Sequence, residues 1–271
     1  MTQKRALQWL IATGMSLGVV GTTLYADTAS GMAAFKKGDY QTALRDWRAA
    51  AEAGSAEAQY DLGLLYARGL GVQRDLTVAQ QWYEAAAAKG NTQAEFSLGQ
   101  MYAKGWGVPR DEASALAWID SADGSQSSTD FTWMPIEGYG QEPDYAKAAY
   151  WYRLASDQGH SEAQYDLAGL YSDGMGVPKD QTQAFQLVKK AAAEGFLPAQ
   201  TRLAWRYANG RGVEKSDSEA FFWYTVAARH GDKQAEKARI VIVPKIPPAQ
   251  INEVEAKAVA WRPAAGAPAK K

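Results

Sequence analysis

A motif that returns at a fixed interval constrains the fold of this chain more than any other feature of its sequence. Residues 58–72 read AQYDLGLLYARGLGV, and AEFSLGQMYAKGWGV follows 36 residues later at 94–108. The pattern begins again at Ala163 and, after a further 36 residues, at Ala199. A period of this length is typical of stacked units that bury their apolar faces against their neighbours. The repeat therefore predicts one elongated array, with an extended surface suited to holding a partner.

Each repeat predicts a pair of helices joined by a glycine loop. In residues 58–93, one face of the first helix is apolar and consists of Ala58, Leu62, Leu65 and Tyr66. We expect Gly69 to end this helix and Asp75 to cap the next one with its carboxylate. The second helix carries its own apolar stripe, formed by Ala79, Trp82, Tyr83 and Ala86. The small residues Gly63 and Ala79 would let the two helix backbones approach closely.

The recurring pattern A-x-x-x-L-G-x-x-Y-x-x-G-x-G-V-x-x-D-x-x-x-A-x-x-W-x-x-x-A resembles the Sel-one-like repeat (SLR) family, whose members are relatives of tetratricopeptide repeats. The resemblance covers about residues 32–262. It implies an all-α fold, a right-handed α-solenoid of stacked helix-turn-helix repeats. It also implies a scaffold or adaptor for other proteins, without indicating which proteins.

The register of the repeats divides the chain into segments. We predict a signal peptide at 1–26, an N-terminal capping helix pair at 27–57, repeats at 58–93, 94–126, 163–198 and 199–234, a degenerate repeat at 127–162, C-terminal capping helices at 235–262 and a disordered tail at 263–271. Prolines at 244, 247 and 248 break the last unit before its final helix. Terminal units with a polar outer face are what a solenoid needs for solubility.

Residues 1–26 are typical of a secretory signal peptide. Lys4 and Arg5 precede an apolar run at 6–24, and Ala26 supplies a small residue for cleavage. The alternative is an uncleaved anchor helix, since the run is almost long enough to span a bilayer. The chain has no cysteine, which excludes a bacterial lipid anchor, disulfides and zinc sites built on thiolates. We expect a periplasmic or secreted protein, or one anchored in the inner membrane and facing the periplasm.

The repeat breaks between Ala94 and Ala163, where the first helix of one unit is replaced by the sequence SQSSTDFTWMP at 125–135. Residues 111–144 contain eight acidic side chains and no Lys or Arg. One hypothesis is a partner contact with an acidic rim and an aromatic patch, formed by Phe131, Trp133, Met134 and Tyr139. The alternative is a drifted repeat, in which these side chains fill the space that the lost helix leaves.

The resemblance to tetratricopeptide-like solenoids also predicts which residues line the concave face, because there the first helices form the inner surface. By motif position the inward residues are Tyr60, Leu64, Arg68, Phe96, Gln100, Lys104, Tyr165, Asp173, Thr201, Trp205 and Asn209. Such a groove could hold an extended peptide or a helix on its aromatic anchors. Ordinary helix packing is the alternative for Tyr60 and Phe96. Trp205 is distinctive because its equivalents are Leu64, Gln100 and Gly169.

Motifs that carry catalysis are missing from the sequence after the predicted signal peptide. There is no P-loop and no His-Glu-x-x-His, and the Gly-x-Ser-x-Gly match at 14–18 lies in the apolar run of that signal peptide. The two histidines, His160 and His230, stand in turns between repeats and are read as exposed turn residues. Capping explains the recurring aspartates at 75, 111, 144 and 180 without catalysis. We therefore predict no catalytic, cofactor-binding or metal-binding residue, and the net charge of −1 gives no general attraction to nucleic acid.

The sequence leaves several functions open. The first is a non-enzymatic periplasmic adaptor that binds a protein or peptide in envelope assembly or signalling. The second is a weak enzyme that binds or hydrolyses β-lactams, since some cysteine-rich secreted members of the family that the chain resembles have been described in this way. This chain lacks those cysteines and the Ser-x-x-Lys and Lys-Thr-Gly motifs. A third function is binding of glycan or peptidoglycan through exposed aromatic residues, and the solenoid ends also make self-association a hypothesis.

Overall fold

The computed structural model describes residues 20–106 and 143–264, and within these ranges the regular secondary structure is helical throughout. The helices are α1 (Val20–Lys36), α2 (Tyr40–Glu52), α3 (Ala56–Arg68), α4 (Leu76–Ala87), α5 (Thr92–Lys104), α6 (Tyr145–Asp157), α7 (Ser161–Asp173), α8 (Gln181–Ala193), α9 (Leu197–Asn209), α10 (Asp217–Arg229), α11 (Lys233–Ile242) and α12 (Pro248–Ala260). A short 3-10 helix, Val243–Lys245, separates the last two. The chain divides into two compact units, Met1–Asp144 and Tyr145–Lys271, called here the first and the second unit.

In the first unit, consecutive helices from α1 to α5 pack against one another. The core at its N-terminal end contains the fully buried Trp47, Leu62 and Leu65. Gly63 brings α3 close to α4 as predicted, because a Cβ atom there would lie 2.7 Å from the Tyr83 ring and 3.3 Å from the Ala79 carbonyl oxygen. This small residue therefore sets the spacing of the helix pair.

Helix α1 runs through the predicted cleavage site after Ala26. Residues beyond that site contact α2: the Thr28 carbonyl accepts a hydrogen bond from the Trp47 indole at 3.3 Å, and Ser30 donates to Asp46 at 2.8 Å. The packing of α1 on α2 thus draws on residues that cleavage would retain. No helix in the described ranges is long and apolar enough to cross a membrane, and residues 1–19 lie outside those ranges.

In the second unit, consecutive helices from α6 to α11 pack in the same manner. Helix α12 departs from this order, since it packs against α10. The Trp261 ring, which follows α12, lies 5.7 Å from the Trp223 ring of α10, and the Ala264 amide donates to the Ala193 carbonyl at 2.9 Å. The C-terminal segment therefore folds back over the second helices of earlier repeats.

Side-chain caps begin the second helices where the sequence predicts them. One carboxylate oxygen of Asp75 accepts hydrogen bonds from the amides of Thr77 and Val78 at 2.9 and 3.0 Å. Asp180 caps α8 in the same way. Asp144 directly precedes α6, and Asp111 lies outside the described residues. These aspartates at 75 and 180 are therefore structural.

In the fully described Gly-x-Gly loops, the two glycines have different structural roles. Gly69 ends α3 in the left-handed conformation, with φ of 68°. A Cβ atom on Gly71 would lie 2.9 Å from the Tyr40 backbone, so this second glycine lets the loop pack on the start of α2. Gly212 packs in the same way on the Gln181 backbone at the start of α8. The loops are thus contacts between repeats, as expected for structural turns.

Candidate functional site

The residues predicted to line the concave face form what we call the first-helix face, on α3 and α5 of the first unit and on α7 and α9 of the second. The residues nearest the C-terminal ends of these helices are exposed: Arg68, Lys104, Asp173 and Asn209. Those in the middle and at the start are half-buried, namely Tyr60, Leu64, Gln100, Tyr165 and Thr201. Phe96 is more buried than the half-buried residues, and Trp205 is more exposed than they are.

Phe96 is only 7% exposed and belongs to the core of the first unit. It is therefore a packing residue, which was the alternative for this position. Tyr60 also packs, since its ring lies 5.6 Å from the Tyr83 ring, and burial raises the pKa of its hydroxyl. Among the aromatic residues predicted for the first-helix face, these two offer little surface to a partner.

Trp205 is 40% exposed, which is unusual for a side chain of this size. The guanidinium carbon of Arg202 lies 5.2 Å from the centre of its ring, within the range of a cation–π contact. Asn209 donates a side-chain hydrogen bond to the Trp205 carbonyl at 2.7 Å. Thr201, at the start of the same face, donates to Asp232, the residue that caps α11. The tryptophan is thus presented on a helix that is itself held to its neighbours.

A pocket with a volume of about 140 Å³ opens beside this face, between α7 and α9. It is lined by Tyr165, Asp166, Ala168, Gly169, Val188, Arg202 and Arg206. Gly169 lies in the interior of α7, and a Cβ atom there would meet nothing within 4 Å. The position equivalent to Gly169 is Leu64 in α3 and Gln100 in α5. The pocket is therefore open at the place where other repeats carry a side chain.

Arg206 is the residue that sequence reasoning missed. It is 1% exposed, although its equivalents Leu65, Met101 and Leu170 are buried apolar residues. Its guanidinium donates to the Ser172 hydroxyl, to the Arg211 carbonyl at 3.1 Å and to the Gln181 carbonyl at 3.4 Å, while Nε has no hydrogen-bond partner. Burial, followed by repulsion from Arg202 and Arg211, lowers the pKa of Arg206 to about 10. The sequence feature that indicates its role is an arginine at a repeat position that is apolar in the other described units.

A second buried ionisable group lies in the first unit, at Asp61 of α3. The side chain is 6% exposed, and its Oδ2 atom has no hydrogen-bond partner. Burial, followed by the charge of Glu57, raises the pKa of Asp61 to about 7. The equivalent residues are Ser97, Asp166 and Arg202, so this position changes from acidic to basic along the chain. The residue at this repeat position is thus acidic in two units, neutral in one and basic in one.

The histidines differ from each other. His230 is exposed, as expected for a turn residue. His160 is half-buried and caps α7, because its Nδ1 accepts a hydrogen bond from the Ala163 amide at 3.2 Å. Burial lowers the pKa of His160 and favours the neutral ring that such a cap requires. The interpretation of His160 as a plain exposed turn residue is therefore wrong.

Two further predictions concern the acidic, aromatic segment and the binding of metal ions. The acidic, aromatic segment with Phe131, Trp133, Met134 and Tyr139 lies outside the described residues. Among residues 20–106 and 143–264, no group of three or more His, Asp or Glu side chains is arranged to hold a metal ion. The described part of the candidate site is therefore the first-helix face and the pocket beside Gly169.

Comparison with known proteins identifies the repeat. The family model for the Sel1 repeat matches residues 56–91, 92–122, 134–160, 161–196 and 197–232, which is more than half of the chain. The chain belongs to the Sel1 repeat family. Sel1 repeats are generally protein-interaction modules, and the proteins built from them are typically non-enzymatic scaffolds. The all-α solenoid expected from the resemblance is confirmed.

Solved structures similar to this Sel1 repeat protein come from several bacteria. A Sel1 repeat protein from Oxalobacter formigenes is 27% identical with a TM-score of 0.63, and the match covers 78% of this chain and 74% of that one. The protective antigen c5321 of uropathogenic Escherichia coli, which displays an SLR fold, is 28% identical with a TM-score of 0.47, over 81% and 48% of the two chains. A search of curated protein sequences finds no significant match.

Proposed function

We propose that this Sel1 repeat protein is a non-enzymatic scaffold or adaptor of the bacterial periplasm, which binds a protein or peptide on the concave face formed by its first helices. The observation that carries the proposal is the exposed ring of Trp205 on α9, fixed beside Arg202. Large aromatic and arginine side chains are the residues that most often dominate the energy of a protein interface. A tryptophan already held in place also loses little conformational entropy on binding.

The charges near Trp205 favour a partner with a defined orientation. In the second unit, Asp173 of α7 and Arg202 of α9 are both exposed. A bound chain would need complementary charges at defined places to contact both. This argues for a protein or peptide more than for a uniform polymer, because a repeating glycan presents the same groups along its length.

The periplasmic location rests on residues 1–26 and on the related structures. The basic pair and the apolar run are typical of a secretory signal. The similar structure with the TM-score of 0.63 is a bacterial protein. An uncleaved segment would instead hold the same face on the periplasmic side of the inner membrane.

The test is capture of envelope proteins by the native chain after crosslinking in a bacterial host, with identification by mass spectrometry. Trp205→Ala should lose the partner. The matched control is Tyr150→Ala, since Tyr150 is 52% exposed but lies on α6, a second helix. A partner kept by Tyr150→Ala and lost by Trp205→Ala supports the proposal. Equal capture of the partner by both variants contradicts binding on this face. If the native chain pellets with peptidoglycan and Trp205→Ala does not, the result favours the glycan-binding alternative.

A further inference from the structure

The pocket between α7 and α9 differs from the matching place in the first unit at five of its seven lining positions. Ala168 replaces Gly63, and the smaller Val188 replaces Tyr83. Three further positions change as well. Between α3 and α5, Leu64 supplies a side chain, Ser97 forms a hydrogen bond with Tyr60, and Met101 is buried. In the second unit the same three positions are Gly169, Arg202 and Arg206. One change removes a side chain, and the other two bring positive charge to the opening.

Gly169 has no steric reason to be glycine. At Gly63 a Cβ atom would collide with Tyr83, whereas at Gly169 it would meet nothing within 4 Å. Glycine in the interior of a helix destabilises it by roughly 0.5–1 kcal/mol relative to alanine. Glycine at this position therefore makes α7 less stable than alanine would, and it leaves open space beside Tyr165. Since a liquid water occupies about 30 Å³, a pocket of about 140 Å³ has room for a group as large as an acidic side chain.

The charges around the pocket are not balanced. Arg202 and Arg206 both line it, and within the described part of the chain neither forms an ion pair with a carboxylate. The buried Arg206 donates its hydrogen bonds only to neutral oxygens. Asp166 is the acidic residue of the lining and is hydrogen-bonded to Tyr152, so two guanidinium groups of the lining face one carboxylate. Asp173 also acts on Arg206, but it is outside the lining and forms no ion pair with it. A buried cation whose hydrogen-bond partners are all neutral leaves a positive potential that an anion would stabilise.

We propose that this pocket binds a carboxylate group of the partner's polypeptide chain, which is either an Asp or Glu side chain or a free C-terminus. Arg202 makes the direct contact, and Arg206 supplies a fixed charge behind it. Guanidinium groups bind carboxylates with strong, directional hydrogen bonds. The exposed Trp205 ring, beside Arg202, receives the neighbouring apolar residue of the bound chain. The inference rests on the proposed function in that the carboxylate comes from a bound protein or peptide.

The test follows the Arg202 side-chain Nε–H resonance by NMR in the full chain during titration with small probes. N-acetyl-glutamate N-methylamide carries a side-chain carboxylate, N-acetyl-alanine carries a terminal one, and N-acetyl-glutamine N-methylamide is the neutral control. We expect a saturable shift with one or both carboxylates, with dissociation constants of about 1 mM for such small ligands, and none with the glutamine compound. The stronger of the two carboxylate probes identifies the source of the group.

Two variants and one control make this test specific. Gly169→Leu fills the pocket with the side chain that α3 carries at Leu64, and it should abolish the shift without loss of folding because leucine favours a helix more than glycine does. Arg202→Gln, followed through the Arg206 Nε–H resonance, should weaken binding about tenfold or more. Arg153→Gln removes an exposed arginine from α6 and should leave the titration unchanged.

The results separate this inference from the proposed function. Equal shifts with the neutral probe, or shifts that persist in Gly169→Leu, would overturn the carboxylate site. If the captured partner depends on Trp205 while no carboxylate probe shifts Arg202, the adaptor function stands and the pocket proposal fails. If the probes bind and no partner is captured, the pocket stands and the adaptor function fails.

Discussion

Consecutive first helices carry different side chains between them in the first unit and in the second unit, although the repeat motif is the same. Between α3 and α5 of the first unit, Leu64 and Ser97 are half-buried and Met101 is buried, and the Tyr83 ring of α4 packs on Tyr60. Between α7 and α9 of the second unit, Gly169, Arg202 and Arg206 occupy the same repeat positions and line an open, positively charged pocket. The repeat motif therefore preserves helix packing, while positions outside the motif decide what each surface can bind.

The largest expected effect tests whether the two interior glycines differ as described. Gly63→Leu should lower the free energy of unfolding of the first unit by about 1–3 kcal/mol, because its side chain would collide with Tyr83. Gly169→Leu should raise the free energy of unfolding of the second unit by up to about 1 kcal/mol, because it removes a helix-interior glycine next to open space. Urea unfolding followed by circular dichroism measures both. Similar losses in the two variants would show that Gly169 is also a close-packing residue.

A change in stability of similar size, but dependent on pH, is expected at Asp61, whose equivalent in the second unit is Asp166. The pKa of Asp61 is raised from 3.8 to about 7, so between these values the unfolded chain is ionised while the folded chain keeps its proton. Stability from this group is therefore highest below pH 3.8, falls as pH rises towards about 7, and stays low above it. Asp61→Asn should raise the free energy of unfolding by about 1–3 kcal/mol at pH 8 and change it little at pH 4.

Asp166→Asn is the matched control for that experiment. Asp166 accepts a hydrogen bond from Tyr152, whose pKa is held above its ordinary value by burial and then by this carboxylate. Its replacement should therefore not stabilise the protein at pH 8. The same change in stability at pH 4 and pH 8 for Asp61→Asn would show that burial does not raise the pKa of Asp61.

The smallest change in stability is expected at the side-chain caps that begin the first helices. Ser55 and Asn91 cap α3 and α5 with side chains that do not titrate, whereas α7 is capped by His160. Because the pKa of His160 is lowered below 6.5, the unfolded chain binds the proton first as pH falls. The stability that this cap supplies is therefore complete above pH 6.5 and decreases below it.

His160→Asn should remove this pH dependence and keep the cap. The expected difference between the variant and the native chain is about 1 kcal/mol or less, since caps contribute about that much. Thermal unfolding at pH 7.5 and pH 5.5 compares the two proteins. A native chain that loses no more stability than His160→Asn at pH 5.5 would contradict a capping role for the neutral ring.

Local pattern was sufficient to predict most of the fold. The caps at Asp75 and Asp180, the helix end at Gly69 and the close approach at Gly63 are confirmed, because each depends on residues within one helix pair. The membership in the Sel1 repeat family is confirmed for the same reason. The exposure of Trp205 was also indicated, since the equivalent residues in other repeats are so different from it.

The candidate site was predicted less completely, because exposure depends on what the neighbouring repeat places beside a residue. Phe96 and Trp205 were assigned to the same face, yet one is buried and the other exposed. Arg206 occupies a position that is apolar in the other described repeats, and its partners Ser172 and Gln181 belong to the preceding repeat. No pattern within one repeat contains that information.

The sequence by itself determined the repeating unit of this protein: helix lengths, caps, glycine loops and the small residues that set the spacing within a pair. These features follow from interactions between residues a few positions apart, which a periodic motif records directly. The tertiary structure decided which side chains remain open between repeats, that a charged residue fills one core position, and that α12 returns to pack on α10. Those outcomes depend on contacts across 25 residues or more, where packing and solvation of the assembled helices, and not local preference, set the result.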